Sequence, residues 1–215
     1  MKKLILIGGN KGIGQAIFNE IQDQYDVIML NRGAENFDIL ADDLPEVEEI
    51  DALVYCPGSI NLKPFGSLKV EDFQKDFEIN YFGFLKCLKF YEKSFKQGAS
   101  VLAFSTVASL TGMPYHSSIA SAKGALNGLV KSLAAEWAGK IRVNAIAPSI
   151  TQTDLAAPIL RNERVIERIT NNHPLKRILT ASEIAKYSKF LISEDAAGIS
   201  GQILVVDNGI INLKL

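Results

Sequence analysis

Three glycines, Gly8, Gly12 and Gly14, stand in the stretch LILIGGNKGIGQAI, directly after an apolar run and at the start of a segment of helical character. Glycine at a strand-to-helix turn lets the backbone approach a pyrophosphate, whose charge is met by the free N–H groups of the helix N-terminus. The turn from Gly8 to Gly14, with Asn10, Lys11 and Ile13 inside it, is therefore a candidate dinucleotide cradle. A second polar set, Asn31 and Arg32, ends the apolar run VIML. An acidic side chain at such a tip accepts hydrogen bonds from a free ribose 2'-hydroxyl, whereas a cation suits a 2'-phosphate. Arg32, joined by Lys11 from the glycine turn, points to NADP(H). One charge-assisted hydrogen bond is worth roughly 1.5–3 kcal/mol, which favours the phosphorylated nucleotide about tenfold or more. A third set lies in PYHSSIASAKGAL: the ammonium of Lys123 can donate to ribose hydroxyls, while Ile119, one helical turn earlier, has no proton to give.

These residues need a scaffold, and the apolar pattern supplies one. Short apolar runs recur at residues 4–7, 27–30, 52–55, 101–104, 143–146 and 203–206, with little polar alternation, as expected of strands covered on both faces. Between them, Phe73, Phe77, Tyr81, Leu85 and Leu88 keep helical spacing, as do Ile119, Leu126, Leu129, Leu133 and Trp137. Strand and helix in alternation give a doubly wound parallel α/β sheet with right-handed crossovers. With a brief strand near residues 37–39, about seven strands are expected, with helices on both faces. Residues 32–38 are too few for a full helix, so the crossover between strands two and three is cut down to a loop, and residues 42–49 hold at most a couple of helical turns.

The chain has 215 residues, 47% of them hydrophobic, enough for one large core and too few for two comfortable domains. A single domain spanning 1–215 is expected. Lys and Arg number 23 against 24 Asp and Glu, without a basic block, so a nucleic-acid partner is not expected. The opening apolar run stops at Gly8, short of an export signal, and no stretch reaches the length of a membrane span. Cys56 and Cys87 follow no metal or disulfide spacing. No metal and a cytoplasmic location are the expectations.

The glycine spacing, three residues between Gly8 and Gly12-Ile13-Gly14, resembles that of the short-chain dehydrogenase/reductase family, and the resemblance runs nearly end to end. It implies a Rossmann fold and a nicotinamide cofactor, with Asp38 as an adenine contact. Gly58, in VYCPGS, stands in the family's Asn-Asn-Ala-Gly position, although Cys56-Pro57 departs from it. Asn80, in FEINYFG, resembles the asparagine that interrupts helical hydrogen bonding and holds a water beside the lysine. Pro148, Thr151 and Thr153, in RVNAIAPSITQTDL, resemble the segment that grips the nicotinamide carboxamide, with Ser149 in place of a glycine. The tail from HPLKR to VDNG follows the family's closing helix and strand, which leaves residues 153–173 as the substrate lid.

In the relatives, a serine thirteen residues before the tyrosine polarises the substrate carbonyl. The tyrosine protonates it, and the lysine lowers the tyrosine pKa and holds the ribose. Those places fall here on Thr106, Ile119 and Lys123. The resemblance therefore implies a set of Asn80, Thr106 and Lys123 acting on a small carbonyl or hydroxyl compound, with the proton drawn from water or Tyr115. Tyr115 and His116 lie just after Pro114; eight residues of helix rise ~12 Å, so Tyr115 reaches the cleft only from a loop, with Ser117 and Ser118 as caps behind it. The enoyl reductase branch separates tyrosine from lysine by six residues, and here seven intervene. The alternative is a non-catalytic NADP(H)-binding sensor or silent subunit of an assembly, and the feature that separates the two is Ile119. Relatives pair through helices corresponding to residues 68–95 and 117–137, so a homo-oligomer, dimer or tetramer, is expected.

Overall fold

The computed structural model describes residues 1–32 and 37–214. Strand β1 (Lys2–Ile7) turns into helix α1 (Gly12–Ile21), and β2 (Tyr25–Leu30) comes after it. The chain continues through β3 (Ile50–Tyr55), α2 (Val70–Phe77), α3 (Gly83–Tyr91) and β4 (Phe95–Phe104). Helix α4 (Ser117–Glu136), β5 (Ile141–Pro148), β6 (Thr151–Gln152) and α5 (Glu163–Asn172) come next, then β7 (Leu179–Thr180), α6 (Ala181–Ile192) and β8 (Ile203–Val206). Six strands form one parallel sheet in the order β2-β1-β3-β4-β5-β8, and β6 pairs with β7 apart from it.

Period-two alternation sends successive side chains of each strand to opposite faces, and here both faces are apolar. Ile5, Ile7, Leu53, Tyr55, Val101 and Val143 pack under α3 and α4 against Phe84, Leu88, Leu126 and Val130. Leu4, Leu6, Val54, Leu102 and Ile146 pack on the other side under α1 and α6 against Ile17, Ile21, Ile184 and Leu191. The strand order reverses between β1 and β3, which opens a crevice above their carboxyl ends, where open α/β sheets take ligands.

Two expectations are corrected. Among the described residues the sheet has six strands where about seven were expected: residues 37–38 carry no strand and 39–41 make a turn, with Ala41 and Asp42 donating their N–H groups to Asp38 O, and residues 42–49 contain no helix. The shortened crossover read at residues 32–38 includes 33–36, outside the described residues. The segment from Ile39 to Val47 is held in place by α3 and by burial. Lys86 Nζ donates to the carbonyls of Ile39 (3.0 Å) and Asp42 (2.5 Å), Tyr91 Oη donates to Pro45 O (2.9 Å), and Ile39, Leu44 and Val47 are buried.

The second correction concerns the face of the helix pair. Phe73, Phe77 and Tyr81 are only half-buried, while Asp76, Asn80, Phe84, Cys87 and Tyr91 point inward. Glu78–Phe82 forms a π-helical turn between α2 and α3. A π-turn inserts one residue and rotates the buried face, and such turns recur at functional sites. Tyr55 Oη completes it by donating to Ile79 O (2.7 Å). Gly83 makes room, since a Cβ there would overlap the Tyr55 hydroxyl. Gly83→Ala is expected to cost about 1–3 kcal/mol by overpacking, read by urea denaturation; an unchanged midpoint refutes this account of the turn.

Candidate functional site

The glycine turn caps the crevice. Gly8 and Gly12 take φ values of +77° and +52°, a region open to glycine at no steric cost. A Cβ on Gly14 would overlap the Gly8 carbonyl oxygen and lie 3.0 Å from its carbon, so α1 packs directly on the turn. The N-cap residue of α1 is Lys11, which is exposed and makes no side-chain cap, leaving the first N–H groups of the helix to an anion. A bare backbone, an open helix N-terminus and an adjacent cation fit a pyrophosphate. Pro57 does not disturb the cradle: its ring packs against the Gly8 position, and the N–H of Cys56 binds Ile7 O (3.0 Å).

At the rim, Arg32 Nη2 lies 2.8 Å from Asp38 Oδ2, and Asn31 is buried. The Leu40 N–H, which donates to Asp38 Oδ1, and secondarily Arg32 hold the Asp38 carboxyl below its usual range. The two residues predicted to meet the adenosine portion are thus paired with each other, while the Arg32 side chain remains 65% exposed.

Beyond the turn, the crevice widens into a cavity of about 460 Å³. Of the residues singled out in the sequence, Ile13, Gly58, Asn80, Thr106, Ile119, Lys123, Pro148, Thr151 and Thr153 line it. Lys123 is buried on α4, and its Nζ donates to Phe104 O at 2.6 Å, which aims the ammonium at the end of β4. Burial pulls its pKa from 10.5 to about 8. A Cβ on Gly58 would lie 3.3 Å from Asn80 Oδ1 and 4.0 Å from Lys123 Nζ, so both polar groups border the same small space. Thr106 Oγ1 accepts from the Ala108 N–H (3.3 Å), which leaves its own O–H as a donor, whereas Ser105 Oγ is turned to Ser109 Oγ (3.0 Å).

Tyr115 is not brought to the cavity. Its φ of +69° and 60% exposure put the phenol in solvent, and its carbonyl accepts from the Lys63 N–H (3.2 Å). His116 lines the cavity, with Nδ1 2.7 Å from Pro114 O, and is the N-cap residue of α4. Ser117 and Ser118 therefore lie inside α4 and do not cap it.

Two groups were not singled out by sequence. Asp76, 2% exposed, accepts from Ser118 Oγ (2.5 Å) and from Ser59 Oγ. Asn80 Nδ2 donates to Ser59 Oγ and Asp76 O, both at 2.8 Å, and the Ser59 N–H lies 3.4 Å from Asn80 Oδ1. These bonds fix the amide with its oxygen toward Gly58 and Lys123. The second group is His173, 3% exposed and facing Ser149 across the cavity wall. Either pair is legible only once residues from different elements meet. Among the described residues, no cluster of three or more His, Cys, Asp or Glu could hold a metal ion, and no helix is long and apolar enough to cross a membrane.

Comparison with known proteins places this geometry among relatives. The family model described as enoyl-(acyl carrier protein) reductase matches residues 11–211. A 3alpha-hydroxysteroid dehydrogenase of Mediterraneibacter gnavus is 36% identical over 75% of this chain and 65% of its own length. Three curated relatives at 35–37% identity are spanned over 26, 65 and 66% of their lengths, so the match does not cover the whole of them. Among solved structures, ElxO with NADP bound aligns with a TM-score of 0.85 and 28% identity over 99% of this chain and 100% of that one. A 4-hydroxyisoleucine dehydrogenase complexed with NADH aligns with a TM-score of 0.84 and 25% identity, covering 100% of both chains.

Proposed function

Because the chain belongs to the short-chain dehydrogenase/reductase family, we propose that it is an NADP(H)-dependent oxidoreductase acting on a small carbonyl or hydroxyl compound, with Ile119 where the family carries its tyrosine. When bound, the nicotinamide supplies or accepts a hydride. The chain's own residues do the rest. The turn from Gly8 to Gly14 holds the pyrophosphate. Lys11 and Arg32 meet the 2'-phosphate, Arg32 leaving or sharing Asp38 to do so. Pro148, Thr151 and Thr153 orient the carboxamide. Lys123 donates to the ribose, and Asn80 holds a water beside it. Thr106 donates its hydroxyl to the substrate oxygen, and residues 153–173 close over the substrate. The observation that carries this reading is the buried Lys123 ammonium, aimed by Phe104 O and bordered by Asn80 Oδ1 at the floor of the cavity beyond the glycine turn.

Calorimetric titration with NADPH and with NADH tests it. NADPH is expected to bind at least about tenfold more tightly, and Arg32→Ala to remove most of that preference while sparing NADH. Tighter binding of NADH by the parent rejects the NADP(H) assignment. A homo-oligomer built through residues 68–95 and 117–137 is part of the proposal, supported by the half-buried row Phe73, Phe77 and Tyr81 beside exposed Phe82. A cytoplasmic location completes it.

A second reading, a non-catalytic NADP(H)-binding sensor or silent subunit, is favoured by Ile119 itself, which is 6% exposed and sits in the cavity wall as a core residue. Turnover that appears only in Ile119→Tyr, on a panel of carbonyl compounds with NADPH, supports that reading.

A further inference from the structure

We infer that Ser149 and His173 form the proton-transfer pair of this site, Ser149 touching the substrate oxygen and His173 accepting or returning the proton through it. This rests on the oxidoreductase reading and supplies what Ile119 cannot. His173 Nδ1 lies 2.8 Å from Ile169 O and Nε2 lies 3.1 Å from Ser149 Oγ. A backbone carbonyl only accepts, so Nδ1 carries the hydrogen; in the neutral ring Nε2 is then an acceptor, and the Ser149 hydroxyl donates to it. A hydroxyl hydrogen-bonded to a base that a third group orients is the general arrangement for moving a proton to or from oxygen. Both residues are more than nine-tenths buried, yet both line the same cavity as Thr106 and Lys123.

In the direction of alcohol oxidation, the substrate carbon loses its hydride to the oxidised cofactor. The substrate O–H bond breaks as its proton passes to Ser149 Oγ, and the Ser149 proton passes to His173 Nε2. The products are the carbonyl compound, the reduced cofactor and an imidazolium that later releases one proton to solvent. Reduction runs the same steps in reverse. Serine at position 149 is essential to the relay, because it bridges the substrate and the ring.

Lys123 and His116 face the same cavity. Lys176, whose N–H binds His173 O, turns its Nζ to Asn171 O, and Asp207, just past β8, accepts from the N–H groups of Gly209 and Ile211. A purely structural role, tying the end of α5 to the end of β5, would affect stability and leave proton transfer untouched.

Two measurements separate these roles. In the nucleotide-free protein, nitrogen NMR of the neutral His173 ring should find Nδ1 protonated and Nε2 bare; the opposite tautomer overturns the assignment. In turnover assays, secondary alcohols with NADP+ and carbonyl compounds with NADPH are offered to the parent, His173→Gln, Ser149→Ala and, as a control, His116→Gln. His173→Gln and Ser149→Ala are each expected to lower kcat by about 10²–10⁴. Both should abolish the acid-side limb of the oxidation profile, leave the KM for nucleotide within about twofold, and contrast with His116→Gln, which retains the limb. Ser149→Ala removes one oxygen, so it reports even where His173→Gln folds poorly. An unchanged rate and profile in both variants overturns the proposal, as does a parent that binds NADPH and turns over none of the panel. Failure of the parent to bind NADPH strikes instead at the oxidoreductase reading, with the ring tautomer still measurable.

Discussion

At pH 7 and without nucleotide, Lys123→Met is expected to unfold at a higher temperature than the parent, while its affinity for NADPH falls at least about tenfold. The two effects share one cause. Burial lowers the Lys123 pKa from 10.5 to about 8, which corresponds to roughly 3 kcal/mol of cost in keeping the ammonium inside the folded protein. Methionine removes the charge and keeps the length of the side chain. The lost hydrogen bond to Phe104 O returns about 1 kcal/mol of that gain. A net of about 2 kcal/mol raises the midpoint by roughly 4–8 °C in a chain of this size. The pH dependence is distinctive. Below about pH 8 folded Lys123 holds its proton and the cost is complete. Between about 8 and 10.5 the folded chain has released a proton that the unfolded chain still binds, so the parent gains stability as pH rises and the gap to the variant closes. Thermal unfolding at pH 7 and pH 10 measures both ends. A variant less stable than the parent at pH 7 refutes the penalty. The expected binding loss follows from the proposed contact of this ammonium with the ribose, and calorimetry reads it separately.

Gly14→Val is expected to remove more than about 3 kcal/mol of stability and to abolish nucleotide binding. The first added atom would overlap Gly8 O and approach the Gly8 carbonyl carbon and Gly9 Cα, each at 3.0 Å. All three are backbone atoms of the cradle. No rotamer relieves the overlap, so either α1 lifts from the sheet or the turn opens, and overpacking against rigid backbone lies at or beyond the upper end of the usual 1–3 kcal/mol. Gly112→Ala is the matched control, since nothing lies within 4 Å of its added Cβ, and it should change stability by less than about 0.5 kcal/mol. Denaturant unfolding with NADPH titration on the same samples checks both. Wild-type affinity in Gly14→Val is incompatible with a cradle built on this close approach.

The sheet and the glycine turn were legible because their signals are local: apolar runs of strand length, and glycines placed where backbone must meet backbone. Asn80, Thr106 and Lys123 were named from the family resemblance, and the fold brings all three to one cavity. On the helix pair, Phe73 and Phe77 were misread before the π-turn begins: aromatics at helical spacing read as core, whereas α2 turns Asp76 inward instead. Asp76 was not singled out, being one acid within a charged helical stretch. Its burial depends on Ser59 and Ser118, which lie 17 and 42 residues away. His173 was hidden for the same reason, its partner Ser149 being 24 residues distant. Tyr115 could be placed outside its helix from sequence, but its direction depends on a positive φ that composition does not announce.

Among the described residues, β2 lies at the outer margin of the sheet. β2 has β1 on one side and, among the described residues, no strand on the other. Unpaired donors and acceptors along such a margin recruit strands from other molecules unless length or charge prevents it. β2 has six residues, and Asp26 is exposed within it. A six-residue edge that carries an exposed acid is a poor template for a strand from another molecule.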